Sequence, residues 1–241
     1  RFLNLFENDK FKKTKDLIAC YKLSNSNFLK LQNQCLDYAM SSFDPRFLRK
    51  NVKKKLNKKE KFQFISKNIN SLYSITPQGL IIPKSHSYKK YKALLESYYK
   101  IFDNLEMTNK IQYWQEPIGV FVKFFDDKKE EVYKKVYHGT NNPHIESWSG
   151  FSNYGINTLL PVIGNIKQNY TEFYEPLKSF KEHEVDKPNK KNLKKIKLRN
   201  YSQKPLDLLI KKFYKLGTLF CWDNYVLHNT KIKDRKFFRL F

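Results

Sequence analysis

The hydrophobic pattern of this chain changes near Tyr113, and that change limits the folds it can adopt. Before this point, apolar residues recur every three or four positions, as on one face of a helix, most clearly over residues 27–40 and 88–105. After it, short β-rich segments and turns follow one another without alternating helices. The sequence therefore predicts a mainly β fold, with a helical N-terminal cover over residues 1–110 and a sandwich or jelly-roll core over residues 111–241, in one integrated domain.

Local signals predict individual elements. Asp44 followed by Pro45 is typical of a helix start, and this helix is expected to run through the Lys-rich residues 53–61, whose charges would face water. Residues 75–79 predict a turn, and residues 185–200 an exposed loop. The β-rich or apolar segments of the second half are residues 118–125, 132–137, 154–163, 216–228 and 236–241.

The formal net charge of +24 has two interpretations. A chain with this charge would attract a nucleic acid or another polyanion. The abundance of Lys, Asn, Ile, Phe and Tyr is also what the mutational bias of an AT-rich genome produces. The Lys residues are spread over most of the chain, which favours genome bias, while a phosphorylated substrate is a further possibility.

The sequence indicates neither a membrane protein nor a secreted protein. No apolar run approaches the roughly 18 residues that a membrane span requires, and no secretory signal pattern is present. The three cysteines, Cys20, Cys35 and Cys221, share no metal-binding spacing with one another or with a histidine. An odd number of cysteines without a secretion signal predicts reduced core thiols in a cytoplasmic protein.

Two of the five histidines lie at the ends of β-rich segments and could do chemistry. His144 and Glu146 are two residues apart, so on a strand their side chains point to the same face. Together with His228 they form a 2-His-1-carboxylate set, the ligand type of non-haem Fe(II) oxygenases. The pair could also be an acid–base pair or a polar strand edge. The remaining histidines are expected at the surface or in local structural roles: His86, His138 and His183.

An arginine in the last apolar segment is the next candidate. Arg239 lies eleven positions after His228 (239 − 228 = 11), and a buried arginine needs a partner that neutralises it. A dicarboxylate would provide one through two parallel hydrogen bonds. Arg239 could instead face water on an alternating strand. Arg235 is the weaker candidate because it sits in a charged turn.

These residues resemble the motifs of the Fe(II)/2-oxoglutarate-dependent oxygenases, in particular the phytanoyl-CoA dioxygenase-like branch and its members from streptomycin and carbohydrate biosynthesis clusters. The resemblance covers roughly residues 113–241 and implies that the core over residues 111–241 is a double-stranded β-helix (jelly roll, cupin-like). Glu146 stands where Asp is commoner, and no Gly follows His228 as in the usual pattern. The matching pieces are residues 114–117 (WQEP), 144–150 (HIESWSG), 156–161 (INTLLP) and 217–228 (GTLFCWDNYVLH), followed by Arg239.

The resemblance implies an oxidoreductase that hydroxylates an unactivated C–H bond of a small molecule with Fe(II), 2-oxoglutarate and dioxygen. His144, Glu146 and His228 would hold the iron, and Arg239 would bind the far carboxylate of 2-oxoglutarate. Asn157 would hydrogen-bond the cosubstrate or simply satisfy a strand end. Trp148 would line the pocket or pack in the core. The branch suggests a sugar, aminocyclitol or phosphosugar as substrate, with neither a membrane nor a nucleic acid as partner.

Two other classes of function remain open. The first is a basic polyanion- or nucleic-acid-binding module without catalysis, which predicts salt-sensitive binding and no iron. The second is a cupin-like protein that uses a different metal, or uses His144 and Glu146 as an acid–base pair.

Overall fold

A computed structural model describes residues 6, 11–14, 18–76, 79–111, 120–123, 143–146, 155–167, 169–177, 201–202, 204–206, 212–232 and 239–240 of the 241-residue chain. These residues form four α-helices and ten β-strands in two compact units. The strand unit comprises residues 1–22, 125–160 and 165–236. The helical unit comprises residues 23–124, 161–164 and 237–241. Residues 1–22 thus group with the later strands, whereas the sequence placed them in the helical cover.

The helical unit contains the helices that the sequence predicts. The apolar repeats over residues 27–40 and 88–105 correspond to the first and fourth helices, and both predictions are confirmed. Their buried stripes pack against each other, with the rings of Tyr38 and Tyr91 5.2 Å apart. The helices are α1 (Asn25–Ser41), α2 (Pro45–Asn51), α3 (Lys58–Lys67) and α4 (Ser85–Asn104).

The second predicted helix starts where expected but ends early. The Asp44 carboxylate accepts hydrogen bonds from the backbone N–H groups of Arg46 and Phe47, and Pro45 is the first helical residue. The prediction that this helix continues through residues 53–61 is wrong. The chain leaves α2 at Asn51, and Asn57 starts α3 with a capping box in which Asn57 and Glu60 bond each other's backbone N–H groups.

The helical unit also contains a four-stranded antiparallel sheet. Its strand order is β3 (Leu80–Ile81), β4 (Val120–Lys123), β10 (Arg239–Leu240) and β6 (Ile163–Gly164). The strands predicted at residues 118–125 and 236–241 are present at residues 120–123 and 239–240, and the rest of both predicted ranges lies outside the described residues. The predicted turn at residues 75–79 ends at Gly79, whose φ of 89° favours glycine.

The strand unit contains a second antiparallel sheet, in the order β1 (Lys12–Thr14), β2 (Ile18–Lys22), β8 (Thr218–Asp223) and β5 (Ile156–Leu159). It also contains the ribbon, a two-stranded antiparallel pair of β7 (Asn169–Tyr174) and β9 (Leu227–Ile232). Across the described ranges, the sheets are small and form no closed barrel. The double-stranded β-helix core remains a prediction.

A hydrophobic cluster joins this sheet to the ribbon. Ile18, Phe220 and Trp222 come from the sheet, and Phe173 comes from β7, with its ring 5.2 Å from that of Trp222. Because buried apolar area is the main stabilising contribution to folding, this cluster fixes the ribbon over one face of the sheet. That packing determines which side chains of the two layers face each other.

The three cysteines are buried and free, as the sequence predicts for core thiols. Burial raises the pKa of Cys20 and of Cys35 to about 12 and also raises the pKa of Cys221. All three thiols therefore stay protonated at neutral pH, which makes them poor metal ligands.

Several predictions fall on residues outside the described ranges: the strand at 132–137, the loop at 185–200, the WQEP segment and Trp148. No helix in the described part of the chain combines the length and apolarity needed to cross a bilayer.

Candidate metal centre

The ribbon and a short segment beside it bring the predicted ligands together. His144 forms an isolated antiparallel bridge with His228 of β9: each backbone N–H donates to the other residue's carbonyl, at N···O distances of 2.9 and 3.0 Å. Ile145 is fully buried in a cluster with Leu227. Because side chains alternate along extended chain, Ile145 and Leu227 point to one side, and His144 and His228 point to the other. The Glu146 carboxylate lies on the histidine side.

The three side chains converge on a small volume. The Glu146 Oε1 atom lies 3.3 Å from His228 Nε2 and 3.6 Å from His144 Nε2, and the two imidazole rings are 4.5 Å apart between centroids. One ligand atom from each residue lies within 4.8 Å of the other two. Atoms bound to one cation at about 2.1 Å are separated by roughly 3.0 Å at octahedral angles and 3.4 Å at tetrahedral angles. The set could therefore hold a metal ion.

A hydrogen bond fixes the orientation of the His228 ring. Its Nδ1 lies 2.9 Å from the carbonyl oxygen of Val226, which only accepts hydrogen bonds, so Nδ1 carries the proton of a neutral imidazole. The Nε2 lone pair then faces the Glu146 carboxylate. This arrangement, a ring N–H bonded to a backbone carbonyl and a free nitrogen directed at the site, is the usual one for a metal-binding histidine.

Burial and mutual contacts set the charges of the group. Burial alone would raise the pKa of Glu146, but its contacts with His144 and His228 outweigh burial and hold that pKa well below its usual range. Burial lowers the pKa of His228, and the contact with Glu146 offsets part of this effect. Glu146 is therefore an anion, and burial favours neutral His228. These protonation states are the ones that bind metals.

Access to the group comes from the Glu146 side. The side chains of His144 and His228 are 6% and 8% exposed, whereas that of Glu146 is 24% exposed. The rings of Trp222, from the sheet, and Phe173, from the ribbon, lie 5.1 and 6.3 Å from the His228 ring. The histidines are thus held in a largely apolar surround, with one partly open edge for further ligands.

Two further polar groups lie near the histidines. Asn157 on β5 is directly opposite Trp222 on β8, and paired residues of antiparallel strands share a face of the sheet. The Asn157 Nδ2 and Trp222 Nε1 atoms are both buried and have no hydrogen-bond acceptor among the residues that the structure describes. Asn157 was predicted to contact a cosubstrate. Trp222 was not predicted, since in a single sequence it cannot be told from any core tryptophan.

The remaining candidates belong to the helical unit or fall outside the described residues. The backbone of Arg239 pairs with Lys123 and Gly164 in the sheet of the helical unit, and its side chain is outside the described part of the structure. Arg235 is also outside it. The assignment of Arg239 to a bound dicarboxylate remains a prediction. His86, predicted at the surface, is exposed in the first turn of α4.

Comparison with known proteins gave no match: no family model, curated protein or solved structure is significantly similar to this chain. The case for a function therefore rests on the geometry and chemistry of the described residues.

Proposed function

We propose that this protein is a non-haem Fe(II)/2-oxoglutarate-dependent oxygenase that hydroxylates an unactivated C–H bond of a small molecule. One observation carries the proposal: the ring nitrogen of His228 and the carboxylate of Glu146 face each other at 3.3 Å, while the imidazole proton is on the opposite nitrogen. Two acceptors at this distance repel unless a proton or a metal cation lies between them, and burial of His228 disfavours an added proton. A bound divalent cation would supply the positive charge.

The ligand set favours a first-row transition metal, iron among them, over Mg(II) and Ca(II). Two imidazoles and one carboxylate suit Fe(II), Zn(II) and other first-row metals, whereas Mg(II) and Ca(II) prefer oxygen ligands. Three protein ligands also leave coordination positions for other molecules, which the partly exposed edge at Glu146 would admit. With 2-oxoglutarate and dioxygen, Fe(II) in such a set supplies oxidation of a C–H bond.

The protein's own residues would hold and orient the metal. The Val226 carbonyl keeps the His228 ring in one tautomer, and the paired backbone bonds of His144 and His228 keep both rings on the same side. The apolar cover over His228 excludes water from the side away from Glu146. Arg239 and Asn157 are proposed to bind 2-oxoglutarate, on the sequence resemblance alone for Arg239.

A sugar or phosphosugar is the proposed substrate class. The resemblance to carbohydrate-cluster enzymes suggests it, and the formal net charge of +24 is compatible with an anionic substrate.

The test is anaerobic addition of Fe(II) and then 2-oxoglutarate to wild type and to the variants His228→Ala and Glu146→Ala. We expect one iron per wild-type chain and a weak visible charge-transfer band when 2-oxoglutarate is added. Both variants should lose the band, because each removes a ligand. His86→Ala is the matched control, since it removes an exposed histidine far along the chain from these ligands and should keep the band.

Two results would contradict the proposal. Stoichiometric binding of Zn(II) or Mn(II) with no response to 2-oxoglutarate would keep the metal centre and reject the oxygenase. Absence of metal binding in a folded protein would reject both and favour the polyanion-binding module. A salt titration against heparin and single-stranded DNA would then test that module, because phosphate or sulfate contacts give strongly salt-dependent affinity.

A further inference from the structure

Asn157 and Trp222 present two hydrogen-bond donors on the inner face of the sheet in the strand unit. The two residues are directly opposite each other on β5 and β8, and their neighbours confirm the face: Leu159 and Phe220, two positions away on each strand, pack in the cluster with Trp222. Trp222 itself is 4% exposed. Both donors therefore lie in the layer between the sheet and the ribbon.

The donors lie next to the candidate metal centre. The Trp222 ring is 5.1 Å from the His228 ring, in an edge-to-face arrangement. His228 points to the same interior layer because its ribbon partner Phe173 also contacts Trp222. An acceptor that reached the metal could therefore also lie within reach of this pair.

Unpaired buried donors are rare in folded proteins because they lose their bonds to water and gain nothing in return. An indole N–H can only donate, and the Nδ2 of an asparagine side chain also only donates. Two such groups on directly paired residues can bind one species that carries accepting oxygen atoms. Neither residue brings a charge, so the acceptor's own negative charge would be left for the metal to neutralise.

We infer that Asn157 and Trp222 together bind a carboxylate oxygen of the small-molecule anion that ligates the metal held by His144, Glu146 and His228. The inference rests on the proposed metal centre and adds Trp222 as a binding residue. The anion is of the 2-oxo acid class, with an oxygen on the metal and another on the donor pair. Charge-assisted hydrogen bonds of this kind are stronger than neutral ones, which would give the pair a marked influence on affinity.

The experiment measures the affinity of 2-oxoglutarate, and of oxalate as a smaller probe, for the Fe(II)-loaded protein by anaerobic calorimetry. Trp222→Phe keeps an aromatic ring and removes the N–H, and Asn157→Leu keeps the approximate volume and removes the amide. We expect each variant to bind both probes about tenfold more weakly, a loss of 1.4 kcal/mol. The Kd for Fe(II) alone should stay within about twofold of wild type, because neither residue is a metal ligand.

A second measurement separates a binding role from a structural one. If the donors await a ligand, Asn157→Leu removes a buried unpaired group, so the metal-free variant should unfold at the same or a higher urea concentration than wild type. Cys221→Ala is the control, since Cys221 precedes Trp222 on the same strand, faces the other side and is fully buried. The control should lose stability and retain probe affinity.

Each contrary outcome has a distinct meaning. Unchanged probe affinity in both variants, with Fe(II) bound, would overturn this inference and leave the metal centre in place. A metal-free Asn157→Leu protein that unfolds more readily, as the control does, would show that a structural water already satisfies the donor, and would also overturn it. Failure of wild type to bind Fe(II) would reject the proposed function and this inference together.

Discussion

The ribbon has a buried or half-buried carboxylate on each side, and the two are satisfied in different ways. On one side, Glu172 of β7 is 6% exposed, accepts a hydrogen bond from the Tyr174 hydroxyl at 3.0 Å, and lies 3.7 Å from Lys231 Nζ. On the other side, Glu146 faces the Nε2 atoms of His144 and His228. The first carboxylate meets donors, whereas the second meets the Nε2 lone pair of neutral His228.

This difference separates a structural group from a binding group. Burial, followed by the negative charge of Glu172, raises the pKa of Tyr174, so its hydroxyl keeps the proton that it donates. Glu172 therefore needs nothing beyond the protein. Glu146 receives no hydrogen bond from neutral His228, because the one proton of that imidazole is held by Val226, and a bound cation would supply the missing positive charge. Burial of an acidic side chain does not by itself indicate a binding site. The site is indicated by whether the neighbouring groups are hydrogen-bond donors or acceptors.

The largest expected effect comes from replacing each carboxylate by alanine. Glu146→Ala should weaken metal binding by roughly 100-fold or more, because a ligand is lost, with little change in the stability of the metal-free protein. Glu172→Ala should keep one metal per chain but lower the free energy of unfolding by about 1–3 kcal/mol, because the Tyr174 hydroxyl loses its acceptor. Metal analysis and urea unfolding measure the two quantities. Loss of metal in both variants would show that the two sides of the ribbon are not independent.

A smaller effect is expected from Glu146→Gln, which sharpens the same contrast. The glutamine amide can donate a hydrogen bond to the Nε2 of His228, which removes the repulsion that the carboxylate causes when no metal is bound. We expect the metal-free variant to be about 0.5–1.5 kcal/mol more stable than wild type, from one added hydrogen bond, and to bind metal poorly. Thermal unfolding with and without excess Fe(II) measures both. A destabilised Glu146→Gln protein would indicate that His228 is protonated and bonded to the carboxylate without a metal.

The smallest effect is expected from Lys231→Met. The Lys231 side chain is 47% exposed, so its 3.7 Å contact with Glu172 is screened by water, and its loss should cost less than about 1 kcal/mol. The number of metal ions bound should not change. Urea unfolding at low and high salt checks this, and a loss comparable with that of Glu172→Ala would mean that the lysine, and not Tyr174, supplies the main bond to Glu172.

Secondary structure was predictable from the sequence wherever one short segment is enough to determine it. The helices α1 and α4 each carry a stripe of buried residues at helical spacing, and Asp44 with Pro45 forms a complete start signal. The end of α2 was missed because the capping box of Asn57 competes with a run of good helix formers. The strand β2 was missed because a five-residue apolar run becomes a strand only by pairing with β8, about 200 residues later.

The candidate site was predictable in part. The spacing of His144 and Glu146 places both on one face, and the pairing with His228 agrees with the predicted set. The Val226 carbonyl, the Trp222 donor and the contrast with Glu172 were not predictable, because each depends on which strands meet. No single-sequence pattern tells a tryptophan that donates to a ligand from one that fills a core.

The reciprocal backbone bonds between His144 and His228 also bear on how the protein folds. They join positions 84 residues apart (228 − 144 = 84), and closing a loop of that length carries an entropy cost that is recovered only when the surrounding strands have formed. The metal centre would then be among the last parts of the strand unit to assemble during refolding. Uptake of the ion would therefore report the completion of folding. If the bound metal quenches the protein's fluorescence, following that quenching during refolding would record the slowest folding step.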